Sequence, residues 1–356
     1  GGIVDRSRNP VRIYALLEAG IGLCALAVKP ALTFIEPFYV AIAPLLEDHF
    51  LLLNLTRALL AGLVVLVPAT LMGGTVPAMA RFLTRNREHI GWNAGLLYGV
   101  NTAGGVAGCV IAGFVLIPAA GLSAATWGTA SVNLTIAAVI LLTVARLPSS
   151  EVASPRSVGE VGGPNRRPHA RIAMFVFALS GFAALGLEVI WSRTLVVHLH
   201  NTTYAFTVML AVFLAGLALG NALLMRFYDR ITRPLAWLGV IQVLIGISVV
   251  IAAASYGSLR GVSLGLLDVD VIGSFGGALA LMSLRAALVL LPTTLLLGMT
   301  FPLVVRVVCE DLDSLSRDLG GAYAANTCGA ILGSLAAAFL LIPLLGVSGA
   351  LAALAG

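Results

Sequence analysis

The chain has 356 residues, of which 59% are hydrophobic and 10% charged, with a formal net charge of +5 and a mean hydropathy of +1.02. A soluble domain carries about 45–50% apolar and about 25% charged residues, so this composition excludes an ordinary water-soluble fold. The positive charge does not point to nucleic acid. Lys29 is the only lysine, and the arginines gather in short segments between apolar runs, as membrane topology requires. Cys24, Cys109, Cys309 and Cys328 lie in or beside apolar runs without CxxC or histidine spacing, so they read as small apolar fillers rather than metal ligands.

In chain order, Val11 to Val28 reads as the first apolar helix. The stretch after it holds Pro30, Pro37 and Pro44 and is expected to be an interfacial or re-entrant loop rather than a span. Phe50 to Phe82 reads as a long helix kinked near Pro68 and Pro77. Trp92 to Ile117 and Leu122 to Ala145 follow. Pro148 to His169 is polar and rich in Pro, Gly and Ser, the composition of a linker. Ile172 to His198, Tyr204 to Phe227, Leu235 to Tyr256, Ala278 to Val308 and Ala322 to Ile342 then read as helices, with a further one starting at Val347. Gly257 to Gly277 answers the proline-broken stretch as a Gly-rich apolar loop.

One segment occurs twice. Tyr98 to Gly121 and Tyr323 to Gly346 share Tyr, Asn-Thr, two glycines, Ile-Pro and a closing Gly at an offset of 225. Gly73, Thr75, Pro77 and Arg81 match Gly298, Thr300, Pro302 and Arg306 at the same offset. Asp5 to Pro10 (DRSRNP) answers Asp229 to Pro234 (DRITRP) at 224. A constant offset over so many positions is an internal repeat. The expected organisation is residues 1–147 as a first membrane repeat, 148–170 as a linker and 171–356 as a second repeat. Projecting the offset outward leaves the first repeat short of about two helices at its start and the second short of most of its last one.

Arginine sets the expected orientation. Arg-rich loops recur at every second connection, while the alternate loops hold only Lys29 and Arg260, so the Arg-rich side, with the linker, is expected to face the cytoplasm across the cell's inner (plasma) membrane. A complete repeat would have six helices, and two parallel six-helix repeats match the major facilitator architecture. The expected fold is therefore an all-α polytopic membrane protein with two such repeats, incomplete at both ends.

Polar residues inside the apolar runs are the candidate site. Gly104 with Gly108, and Gly329 with Gly333, form GxxxG faces that suit helix packing. Asn101 and Asn326 precede them by three residues, and Tyr98 and Tyr323 precede the asparagines by three, which suits either interhelical clasps or substrate contacts. Glu18 has a neutral counterpart in Gln242 and so is a functional candidate. Glu188 and Arg193, five apart on one helix, are badly spaced for a direct pair, and each is a candidate substrate contact. Arg57 and Arg285 suit snorkelling or an outward cavity. No HExxH, GxSxG or strand-linked GxGxxG occurs, so no catalytic residue, metal site or cofactor is expected in the chain.

Four stretches together, SGFAALGLEVIWSRTL, FLAGLALGNALLMRFYDRITRPL, LGMTFPLVVR and YAANTCGAILGSLAAAFLLIPLLG, resemble the membrane portion of fused major-facilitator/spermidine-synthase-like proteins of bacteria. The resemblance covers nearly the whole chain. It implies a membrane domain that transports or presents a polyamine-like solute, or anchors partner subunits, ahead of a cytoplasmic aminopropyltransferase-like domain whose glycine loop and catalytic Asp have no equivalent here. It also implies a gating loop at Asp5, Arg6, Asp229 and Arg230, similar to the loop that latches helix ends in major facilitator transporters; capping and topology suit the same residues.

Overall fold

Apolar runs of about 20 residues satisfy their backbone polar groups in lipid only by forming helices or a closed barrel, and this chain forms helices. The structure is a computed structural model that describes residues 2–7, 9–84, 90–146, 166–199, 203–255, 274–309 and 311–355. Its elements are α1 (Gly2–Asp5), α2 (Pro10–Ile42), α3 (Phe50–Leu83), α4 (Ile90–Ile111), α5 (Ile117–Arg146), α6 (Arg166–Leu199), α7 (Thr203–Arg226), α8 (Pro234–Ser255), α9 (Phe275–Val308), α10 (Leu315–Ala336) and α11 (Ile342–Ala355). No strand occurs among the described residues, and eight helical stretches there are long and apolar enough to cross a membrane. That fits a multi-pass membrane protein.

Two expectations about boundaries change. The stretch after Val28 is not a broken loop: α2 runs on through Pro30 and Pro37 to Ile42, and a short 3-10 turn, Ala43–Leu46, carries Pro44. Each proline removes one backbone hydrogen bond, but the apolar residues on either side still gain from helical pairing where no water competes. The helix expected from Ile172 begins earlier, at Arg166, inside the segment assigned to the linker. The rest of that linker up to residue 165, and the Gly-rich loop over 256–273, lie outside the described residues.

The two segments that share residues at an offset of 225 change helix type at corresponding positions. α4 passes into a π-helical turn at Ala112–Leu116 before α5, and α10 into another at Ala337–Leu341 before α11. Pro118 and Pro343 follow two residues after these turns. A proline offers no N–H to the carbonyl four residues back, and a widened turn is one way for a helix to absorb that loss. Gly121 and Gly346 then bend the chain with φ of 78° and 66°, in the left-handed region where a side chain is disfavoured.

The chain packs as two compact units, residues 1–85, 119–158 and 313–320 in one and 86–118, 159–312 and 321–356 in the other. In the first, α2 lies along α3, with Gly20 and Gly74 facing Leu71 and Leu17 across the pair. Gly22 of α2 faces Leu134 and the Ala130 carbonyl of α5. In the second, α9 is the central helix, with 67% of its most apolar window inside the protein, and it packs on α7, α8, α6 and α4. Leu187, Ile190 and Trp191 of α6 join Val208, Met209 and Phe213 of α7 and Leu290 of α9 in its apolar core.

Glycines bring these backbones into contact. A Cβ on Gly220 of α7 would lie 1.9 Å from the Leu295 carbonyl oxygen of α9, and one on Gly298 of α9 would lie 2.2 Å from the Leu217 carbonyl oxygen. Gly220→Ala is expected to destabilise the protein in detergent, by about 1–3 kcal/mol, because backbone rather than a mobile side chain must move aside. Gly62→Ala, where nothing lies within 4 Å, should leave stability unchanged or raise it by about 1 kcal/mol through helix propensity. Paired thermal unfolding scans check both.

Candidate functional site

The two repeated tyrosines meet in the second unit. Tyr98 of α4 stacks on Phe301 of α9 with ring centroids 4.3 Å apart and planes 27° from parallel. Tyr323 of α10 approaches the same ring at 5.1 Å, and Phe177 of α6 at 6.1 Å. Phe301 is 1% exposed, so aromatic side chains from three other helices close around it. The Tyr323 hydroxyl is buried and has no hydrogen-bond partner. An unpaired buried hydroxyl costs free energy that native structures usually avoid.

Neighbouring amides hold the helices around this cluster. Asn326 of α10 donates through Nδ2 to the Phe177 carbonyl of α6, 2.9 Å away. One and two helical turns further, Cβ atoms on Gly329 and Gly333 would lie 1.9 and 2.0 Å from the Ala178 and Phe182 carbonyl oxygens. Asn221 of α7, 2% exposed, donates to the Gly95 carbonyl of α4 at 2.9 Å, and its Oδ1 is unpartnered. Asn221 and its stripe Gly91, Gly95 and Gly99 on α4 were missed in the sequence. The glycines recur every four residues, so the signal was present, but Gly91 and Gly95 precede the segment that starts at Tyr98 and Gly99 has no glycine counterpart at Ala324.

The expected GxxxG contact of the first copy is not made among the described residues. Asn101, Gly104 and Gly108 are exposed on α4, and nothing lies within 4 Å of a Cβ at either glycine. α4 instead turns Gly91, Gly95 and Gly99 toward Tyr228, Met225 and Asn221.

The charged candidates do not gather at the tyrosines. Glu18 of α2 is half-buried beside Tyr14, one turn earlier, within the first unit. Glu188 is half-buried on α6 and Arg193 is exposed; neither has an ion pair or hydrogen bond among the described residues. Arg57 donates to the Tyr39 hydroxyl at 2.6 Å and sits over its ring. The Arg285 Nε is buried without a partner.

The two DR segments differ. In the first unit, Asp5 accepts hydrogen bonds from the backbone N–H groups of Ser316 and Arg317 at 3.0 and 2.8 Å, capping the first turn of α10, while Arg6 is exposed. A carboxylate there satisfies orphan donors and complements the helix dipole. In the second unit, Asp229 and Arg230 lie in a short 3-10 turn, and the adjacent Tyr228 is buried with its hydroxyl against Gly91. Arg306 donates to the Tyr228 carbonyl and lies 4.6 Å from its ring centroid. Beside them His169, Arg233, Pro234 and Arg306 line an open cavity of about 270 Å³.

No family model, curated protein or solved structure matches this chain. No group of three metal-ligating side chains occurs among the described residues.

Asp5→Ala should lower stability by about 1–3 kcal/mol through loss of two charge-assisted hydrogen bonds, whereas Asp229→Ala should change it little; denaturation in detergent checks the difference. Burial pushes the Tyr228 hydroxyl up from 10.0 to about 12, with Arg306 pulling the other way. The folded protein therefore keeps this proton where the unfolded chain loses it, so the stabilisation is full below pH 10 and disappears as the pH rises to about 12. Melting temperatures measured across that range should fall more steeply for the native protein than for Tyr228→Phe.

Proposed function

We propose that this chain is a membrane domain that admits a small amphiphilic cation of polyamine type to the aromatic cluster around Phe301, for transport or for presentation to a cytoplasmic partner. The observation that carries the reading is the buried, unpartnered Tyr323 hydroxyl set among Tyr98, Phe301 and Phe177. Aromatic faces attract cations, and a free hydroxyl supplies an acceptor for an ammonium proton. Glu188, half-buried in a span without a cation beside it among the described residues, supports a positively charged solute.

The π-turns and left-handed glycines at one offset support two parallel repeats of major-facilitator type. The Asp5 cap on α10 supports a helix-end latch that opens and closes as units rock. The resemblance to fused spermidine-synthase-like proteins makes polyamine the first solute to test and an aminopropyltransferase-like domain the partner. The positive-inside rule supports a cytoplasmic place for the Arg-rich loops and linker.

A second reading, a structural subunit that anchors partners, is favoured by the closed glycine contacts and the Asn326 clasp. Tyr323→Phe separates the two. In a site, the substitution keeps or raises stability, by about 1–3 kcal/mol, yet weakens uptake of labelled spermidine into proteoliposomes, and Glu188→Gln weakens it further. No uptake by the native protein, or uptake indifferent to both substitutions, contradicts the transport reading.

A further inference from the structure

Three helices of the second unit end around one space. His169 of α6, Arg233 and the first residues of α8, and Arg306 and Val307 of α9 line the open cavity of about 270 Å³. Its wall holds two arginines and a histidine, and no carboxylate among the described residues. Arg306 is fixed in place, donating to the Tyr228 carbonyl and lying 4.6 Å from its ring centroid, and its other N–H groups have no partner among the described residues. The side chains of Arg233 and His169 have none there at all. Pro234 opens a helix of 22 residues, so the positive end of its dipole adds to the same charge.

Depth is the second observation. His169 is the second residue of the apolar span Pro168–Thr194, Pro234 the first of Pro234–Ser255, and Val307 the last but one of Gly276–Val308. Three spans therefore stop at the level of this cavity, and the ends of spans lie where lipid headgroups begin. Membrane topology alone asks for basic residues near that level, but not for their convergence from three helices on one cavity.

We infer that this cavity binds the phosphate of an anionic phospholipid headgroup. A guanidinium presents parallel N–H donors that match two phosphate oxygens, and the imidazole offers a further N–H. Basic pockets between transmembrane helices hold anionic headgroups by this chemistry. A zwitterionic headgroup brings its own cation, which two arginines repel. The inference is independent of what the aromatic cluster around Phe301 admits.

The test uses the whole chain, purified in dodecyl maltoside and titrated with dioctanoyl phosphatidylglycerol, dioctanoyl phosphatidylcholine and inorganic phosphate, with bound lipid counted by native mass spectrometry. One phosphatidylglycerol per chain should be retained in preference to phosphatidylcholine. Arg233→Gln and Arg306→Gln should each weaken that binding about fivefold or more. Arg226→Gln removes the same charge from an exposed position at the end of α7 that does not line the cavity, and should leave binding unchanged. Arg233→Gln should also leave the melting temperature of the lipid-free protein unchanged, which separates lost binding from lost folding. Equal weakening by all three substitutions would mean diffuse surface charge and would overturn the site, as would equal retention of phosphatidylcholine or binding indifferent to Arg233→Gln. Displacement of the lipid by inorganic phosphate at equal concentration would overturn the lipid assignment, since a free anion would then be the occupant.

Discussion

Helices in lipid gain little by covering apolar side chains, because the surrounding acyl chains are equally apolar, so their association depends on how closely backbones approach and which polar groups they pair. In the second unit that approach is set by glycine. Gly220 and Gly298 let α7 and α9 touch carbonyl to Cα, and Gly329 and Gly333 do the same for α10 on α6. The aromatic cluster depends on these contacts. With the helices a side chain further apart, Tyr98 and Tyr323 could not both reach Phe301. Hydroxyls add to the satisfied groups, as in the Ser248–Thr293 pair at 2.8 Å between α8 and α9.

Proline sets the second constraint. Pro118 and Pro343 each follow a π-turn and precede a glycine in the left-handed region, so α4 and α10 run into the next helix through the same local defect. Three residues with unusual backbone preferences, Ile-Pro and a later Gly, thereby fix where each helix ends and the next begins. Pro30 and Pro37 lack such a partner glycine, and α2 passes through them without ending.

This contrast explains what could be read from the sequence. Helix positions were legible because apolar runs of spanning length have few alternatives, and α7, α8 and α9 fall within a few residues of expectation. The proline-rich stretch after Val28 misled because proline reports a lost hydrogen bond, not the local balance that decides whether a helix survives it. Tyr98 and Tyr323 were legible as paired residues through their offset, whereas their convergence on Phe301 was not, since Phe301 lies outside the motif they share. The opposite fates of Gly104 and Gly329 were illegible for the same reason: one motif meets a neighbour and its duplicate does not, and no local residue records which.

The functional reading rests on the two tyrosines, 225 residues apart, closing on one phenylalanine inside a membrane domain. The most direct measurement is thiol cross-linking in intact membranes of a chain carrying Tyr98→Cys and Tyr323→Cys, with Cys24, Cys109, Cys309 and Cys328 replaced by serine. A short bifunctional thiol reagent should join the two positions rapidly, and should fail when Asn101→Cys on the exposed face of α4 replaces Tyr98→Cys. Failure of the first pair to cross-link, or equal yields for both, would contradict the convergence and remove the site with it.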